Sequence, residues 1–326
     1  MTRREFLRKS AASVAFGWTV TGCATDRGAE SAASAGEGPC GIRVRFLGSG
    51  ASGWDPKWLE KTPFTRRQTS ALLENRVLID FTACSFDHLP KGCRPEALFQ
   101  THSHGDHYSP TALVRVGVKR LYVHETWASA AEAAVSAAAD KLGLPAPEVI
   151  PLNFGVPVVE GGMAFTPVPA NHSTSRVTDG VLERTCLYLV EKGPTRLLYA
   201  TDTAGIPNDA ARMIGIDPIV SEKNYPTRFA GNPFVSPPKA ITALVMEATM
   251  GNVEEHLCYE AHSGVPTVAR LLATLRKFDR YRPPEGQSAY VTHLGVRYRG
   301  WPSEKIDAEL PEGIKSASDG LEIVLE

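Results

Sequence analysis

Thr101-His102-Ser103-His104-Gly105-Asp106-His107 follows directly on Ala97-Leu98-Phe99-Gln100, a short apolar run that reads as a strand. Three imidazoles and a carboxylate within six positions are costly to explain as packing. A lone histidine is usually structural, whereas clustered imidazole and carboxylate donors suit a divalent cation. On an extended loop alternate side chains point the same way. His102 and His104 therefore reach one ion, while Asp106 and His107 fall on a second.

Outward from this stretch, strands and helices alternate. Gly41 to Leu47 alternates apolar and polar residues and runs into the tight loop Gly48-Ser49-Gly50. Ser70 to Leu73 and Val77 to Phe81 flank Glu74-Asn75-Arg76 and predict a hairpin. Arg120 to His124 predicts another strand, and the Ala-rich Trp127 to Leu142 a helix stopped by Gly143. Strands are expected again around Val149, over Met163 to Val168 and over Cys186 to Val190. Beyond the Gly193-Pro194 turn, Arg196 to Ala200 and Ile241 to Met246 extend the series. Val265 to Phe278 is expected as a helix and Ser288 to Val291 as the final core strand. Residues 204–238 hold six prolines and little periodicity, and read as an inserted loop or lid. Mixed strands and helices with local hairpins predict a layered α/β fold.

The composition is that of a globular chain, 43% hydrophobic and 22% charged over 326 residues, and the net charge of −1 lacks the basic footprint of a nucleic-acid binder. The N-terminus reads differently. Arg3-Arg4-Glu5-Phe6-Leu7 followed by the apolar stretch Ala11 to Val20 resembles a twin-arginine export signal. Val20-Thr21-Gly22-Cys23 resembles a bacterial lipobox, with Cys23 as the lipid-bearing mature N-terminus. Residues 1–23 are thus expected to be a signal peptide, with a retained anchor helix as the other reading. Residues 24–40 lack any large apolar side chain and are expected to be a flexible linker, leaving 41–326 as one extracytoplasmic domain. Cys40, Cys84, Cys93, Cys186 and Cys258 show no C-x-x-C spacing, which argues against a cysteine zinc site. Outside the cytoplasm Cys84 and Cys93 are placed to pair across their loop, although a protein exported folded need not use disulfides.

The histidine stretch matches the H-x-H-x-D-H motif of the metallo-β-lactamase superfamily, and the resemblance continues in family order from Gly41 to Tyr298. Gly48-Ser49-Gly50-Ala51-Ser52 resembles the family's glycine-rich turn and Leu78-Ile79-Asp80-Phe81 its hydrophobic strand ending in Asp. Asn171-His172-Ser173, Thr201-Asp202-Thr203 and Thr292-His293 supply the later ligands. The resemblance implies a four-layer αββα fold of two mixed sheets flanked by helices. It also implies two divalent ions: one on His102, His104 and His172, the other on Asp106, His107 and His293, with Asp202 bridging. Zinc suits the five histidines best, with manganese or iron as alternatives. Between ions about 3.5–4 Å apart, a bridging hydroxide is the expected nucleophile. Zinc β-lactamases commonly carry Cys where Asp202 stands, which argues for another hydrolase branch.

Glu247-Ala248-Thr249, Ala261-His262-Ser263 and Thr292 to Tyr298 resemble the tRNase Z and phosphoribosyl cyclic phosphodiesterase branch. By that resemblance His262 is the general acid and Glu247 its orienting partner, with Asp106 in the catalytic set. The other reading of His262 is a cap on the helix beginning near Ser263. His88, His124 and His256 read as surface or core residues, with His256 the nearest to His262 in sequence. Arg297 is a candidate for a phosphate oxygen or a solvated loop arginine. A tRNA substrate is disfavoured twice, by the export signal and by the short interval between His172 and Asp202, which lacks the branch's long Gly- and Lys-rich arm. In the 204–238 insertion, Tyr225, Arg228, Phe229 and Phe234 are candidates to close over a small ligand. The expected activity is hydrolysis of a small or cyclic phosphodiester. Lactone, thioester or other ester hydrolysis by the same site, and a non-catalytic metal-bearing lipoprotein, are the alternatives.

Overall fold

A strand buried on both faces reads as a continuous apolar run, and the sequence supplies several, among them Val77–Ile79, Ala97–Phe99 and Ala243 to Met246. A computed structural model describes residues 41–54, 63–253 and 262–326. The signal, linker, His256 and Cys258 readings lie outside the described residues. The chain runs through β1 (Ile42–Gly48), β2 (Ser70–Leu73), β3 (Val77–Ile79), β4 (Ala97–Phe99), α1 (Pro110–Val116), β5 (Arg120–His124), α2 (Ala128–Leu142) and β6 (Glu148–Leu152). It continues with β7 (Val158–Glu160), β8 (Met163–Pro169), the small hairpin β9 (Val177–Thr178) and β10 (Val181–Leu182), β11 (Cys186–Lys192) and β12 (Thr195–Ala200). Then come α3 (Asn208–Met213), α4 (Tyr225–Arg228), β13 (Ala243–Glu247), α5 (Val265–Lys277), β14 (Ala289–Thr292), α6 (Ser303–Asp307), β15 (Ile314–Ser316) and β16 (Glu322–Leu325).

Two seven-stranded mixed sheets form, in the orders β16-β1-β2-β3-β4-β5-β6 and β15-β14-β13-β12-β11-β8-β7. Strand alternation divides the apolar side chains among three layers. In β11, Cys186, Tyr188 and Val190 face the layer between the sheets, where they join Val44, Phe99, Phe165 and Tyr199. Leu187 and Leu189 face the opposite way, into the layer under α5 with Val268, Leu272 and Leu275. On the far side of the first sheet, Leu72, Leu98 and Leu121 meet Leu113 of α1 and Val135 of α2. The result is helix, sheet, sheet, helix. Phe99 sits at its centre, stacked on Phe165 with ring centroids 4.0 Å apart and on Tyr122 at 4.3 Å. Truncating such a ring to alanine costs about 3–5 kcal/mol.

The hairpin over Ser70 to Ile79, the α2 helix and its left-handed Gly143 cap (φ 63°) fall where the sequence placed them. The strand at 289–292 is not the last: β15 and β16 follow, and β16 closes the first sheet by pairing antiparallel with β1. β15, Ile314-Lys315-Ser316, holds a single apolar residue and so offers no apolar run of the kind that marked β3 and β4. Cys84 and Cys93 are both free thiols, not a disulfide. Cys84 is buried in a 3-10 turn over Ala83–His88, while the Cys93 Sγ donates to the Asn75 carbonyl at 3.3 Å. The insertion is partly ordered core rather than a free loop: Ala210, Ala211, Ile214 and Ile216 are buried in the layer under α5. No helix among the described residues is long and apolar enough to cross a membrane.

Candidate metal centre

Strands β8, β12, β13 and β14 run in one direction, and each ends at a residue of the site. His172 follows β8, Asp202 follows β12, Glu247 closes β13 and His293 follows β14. From the first sheet, the loop after β4 brings His102 to His107. Parallel strands thus gather their carboxyl-end loops along one edge, where α/β proteins place their ligands. Asp202 and His293, with Asp80 at the end of β3, adopt left-handed backbone with φ of 49°, 51° and 54°. That conformation is uncommon outside glycine and is tolerated best by Asp, Asn and His. It bends the chain sharply at the strand end, and such strain concentrates at functional sites.

All seven expected ligands come together. One group of ligand atoms within 4.8 Å of one another comprises His102, His104 and His172, a second Asp106, His107 and His293, and a third joins His102, His107 and Asp202. His102 Nε2 lies 2.9 Å from His104 Nδ1, His104 Nδ1 lies 3.3 Å from His172 Nε2, and His107 Nε2 lies 3.1 Å from His293 Nε2. Nitrogen lone pairs aimed at one another repel unless a cation lies among them. Asp202 makes the same point. Its Oδ2 is buried without a hydrogen-bond partner, yet stands 2.8 Å from His107 Nε2 and 3.3 Å from His293 Nε2. An orphaned carboxylate oxygen amid imidazoles fits a divalent cation.

The outward nitrogens of His102, His107 and His293 are tethered, as is usual for metal-binding histidines. His107 Nδ1 donates to Asp80 Oδ2 at 2.6 Å, and His102 Nδ1 lies 2.9 Å from Thr101 Oγ1. Thr249 Oγ1 lies 2.7 Å from His293 Nδ1. Asp80 is fully buried and also accepts from Gln100 Nε2 and the Thr101 peptide. Electrostatics divides the set. Burial, reinforced by neighbouring imidazoles, holds His102 and His104 below the ordinary histidine value, which keeps them in the neutral ligating form. Burial disfavours charge at His107, but Asp202, Asp80 and Asp106 outweigh it and favour positive charge at that place, which a bound cation supplies as well as a proton does. Burial likewise opposes ionisation of Asp106 and Asp202, and the facing histidines overcome it and keep both far below the carboxylate range.

Glu247 and His262 stand beside this cluster. Glu247 is fully buried, with its oxygens taken by the Thr203 peptide N–H, the Thr249 hydroxyl and His262 Nδ1, the last at 3.1 and 3.2 Å. The His262 ring lies 5.1 Å from that of His172 and 5.5 Å from that of His293. Burial lowers its affinity for a proton, while Glu247 and Asp202 raise it further, to about 9. His262 is not the helix cap: α5 starts at Val265 with Gly264 in that position and no side-chain cap. Two cavities flank the cluster. One of about 320 Å³ is lined by Ser52, Gly53, Thr249, Val296 and Arg297. The other, about 430 Å³, is lined by Asn171, Arg184, Ala204 and Asp209.

Other candidates fall elsewhere. Arg297 is exposed and donates to the Met250 carbonyl at 2.6 Å. His124 is buried against Phe154, with its proton affinity lowered to about 4 by burial and Arg184. His88 sits under Gly320. The insertion's aromatic residues do not gather over the ligands: the Tyr225 hydroxyl donates to the Val235 carbonyl, Arg228 lies over the Phe229 ring, and Phe234 sits beside Gly155. Thr101 and Thr249 drew no role from the sequence, although each stands within two residues of a site residue.

Residues 76–264, more than half of the chain, match the model of the beta-lactamase superfamily domain, and the chain belongs to that superfamily. With this donor set it is a metal-dependent hydrolase. Its fold is similar to a new diphosphatase from the PhnP family, at 20% identity and a TM-score of 0.55 over 87% of this chain and 98% of that one. It is also similar to zinc-bound PqqB from Methylobacterium extorquens, at 17% identity and 0.58 over 86% and 99%. A long form RNase Z from yeast matches at 11% identity and 0.52, over 87% of this chain and 41% of the other. No curated protein sequence matches the chain.

Proposed function

We propose that the protein is a binuclear phosphodiesterase acting on a small or cyclic phosphodiester, with His262 as general acid and two divalent ions, zinc foremost, on the seven clustered ligands. One observation carries the reading: a buried glutamate, Glu247, grips His262 Nδ1 while the ring stands against His172 and His293. Hydrolysis of a phosphodiester expels an alkoxide, which leaves poorly without a proton. Glu247 orients the imidazole and favours its protonated form, so the other ring nitrogen is free to deliver that proton. When bound, the ions supply a water ionised near neutral pH and positive charge for the phosphoryl oxygens. His102, His104, Asp106, His107, His172, Asp202 and His293 hold them, and Asp80, Thr101 and Thr249 fix the ring orientations. The flanking cavities suit a small substrate rather than a folded RNA. The PhnP-family diphosphatase and the RNase Z share this fold at low identity, which is consistent with phosphoryl chemistry on it.

From the resemblance of residues 1–23 to a twin-arginine signal and lipobox, we propose further that the domain lies outside the cytoplasm, tethered through a lipid on Cys23 by residues 24–40.

Hydrolysis of bis-(p-nitrophenyl) phosphate by the zinc- or manganese-loaded protein tests the assignment. On a diester with an alkoxide leaving group, such as a 2′,3′-cyclic nucleotide, His262→Ala lowers kcat by about 100-fold or more while metal content stays unchanged, and the loss is smaller on the p-nitrophenyl ester, whose phenolate leaves without a proton. Absence of cleavage by the loaded wild-type protein, with lactones or thioesters cleaved instead, overturns it.

A further inference from the structure

Glu183 lies just past the β9–β10 hairpin and is 2% exposed. Its carboxylate takes two hydrogen bonds from a single residue: Ser103 N donates to Oε1 at 2.7 Å and Ser103 Oγ donates to Oε2 at 2.6 Å. Ser103 is the residue between His102 and His104. The same segment holds the loop a second time, through the Cys186 peptide N–H donating to the Thr101 carbonyl at 2.9 Å. At its own base the Glu183 peptide N–H donates to the Arg176 carbonyl, closing the hairpin.

A buried carboxylate is costly unless hydrogen-bonded and balanced by charge. Two neutral donors satisfy the oxygens of Glu183 but leave its charge. Among the described residues no lysine, arginine or histidine closes a direct ion pair with it, although Arg176 lines the same cavity and contributes to the balance from a distance. A structural clamp for a peptide and a hydroxyl does not need a charge, since an amide side chain of the same shape makes both bonds. A cation held by His102 and His104 is stabilised by a negative charge nearby, in addition to that of Asp202.

We propose that Glu183 is a positioning residue for the metal centre: it pins the Ser103 peptide so that His102 and His104 converge, and its buried charge is balanced by the cation they hold. The inference rests on the metal-site assignment and is independent of the substrate.

Three variants and two readouts test it. Zinc affinity is measured by chelator competition, and the melting temperature is measured with and without zinc. Glu183→Ala, which removes both bonds and the charge, loses zinc affinity by about tenfold or more. Ser103→Ala, which keeps the backbone N–H hydrogen bond to Glu183 Oε1, falls between it and wild type. Glu183→Gln keeps the shape, with the Ser103 hydroxyl turning to accept from the amide, but loses the charge. Its zinc-free melting temperature is no lower than wild type, and its rise on adding zinc is smaller. A merely structural role lowers the zinc-free stability and leaves the zinc-dependent rise unchanged.

Wild-type zinc affinity in Glu183→Ala, or a wild-type zinc-dependent rise in Glu183→Gln, overturns the proposal. If Glu183→Ala does not fold, the other two variants decide it by the same criteria. A wild-type protein that binds no zinc fails the metal-site assignment itself, and that control separates the two failures.

Discussion

The two sheets supply the metal centre in opposite ways. The first gives a contiguous loop, in which His102, His104, Asp106 and His107 follow one three-residue strand. The second gives its ligands singly, from the ends of β8, β12 and β14. A loop positions four donors through one backbone path and needs bracing from outside, which Asp80 provides at His107 and Glu183 at Ser103. Single residues at the ends of hydrogen-bonded strands are placed by the sheet itself. They need only a local turn, and the left-handed backbone at Asp202 and His293 is that turn. Motif and scaffold are therefore two solutions to one positioning problem, and this site joins them at Asp202.

Asp202 is the place to break that arrangement. Asp202→Ala removes the carboxylate that faces His107, His293 and His172 at once. On the proposed binuclear phosphodiesterase reading, both ions are lost from the isolated protein and phosphodiester cleavage falls about 1000-fold, as forfeiting several kcal/mol of metal stabilisation implies. Retention of one tightly bound ion would show instead that one ligand group stands on its own.

Asp80→Asn sharpens the comparison with a smaller effect. It leaves every ligand in place and weakens only the brace on His107. Affinity for the ion on Asp106, His107 and His293 drops by about 10–100-fold, while the ion on His102, His104 and His172 is affected less. Stepwise chelator removal monitored by metal analysis separates the two. Equal weakening of both ions would mean that Asp80 supports the whole loop rather than one imidazole.

The same contrast explains what the sequence made legible. The His102 to His107 loop is readable because its chemistry is compressed into six positions after an apolar strand. His172, Asp202 and His293 are each a lone polar residue at a strand end, and only the resemblance to a family order singled them out. The bracing residues were harder still. Glu183 is 80 positions from Ser103 and carries no motif, so nothing local connects the pair. The strand β15 was missed because Ile314-Lys315-Ser316 carries one apolar residue and no apolar run, and the pairing of β15 and β16 with β14 and β1 is a tertiary fact. Conversely, the aromatic residues at 225–234 suggested a lid by composition, but their partners lie within the insertion and against Gly155.

Metal content per chain is the most direct test of the central claim. The protein is loaded with zinc, freed of loose ions and analysed for metal against protein concentration. The account predicts about two ions per chain, as a shared carboxylate between two ligand groups requires. A single ion that saturates the protein and supports full activity would contradict the binuclear assignment, and no bound ion at all would contradict the metal centre.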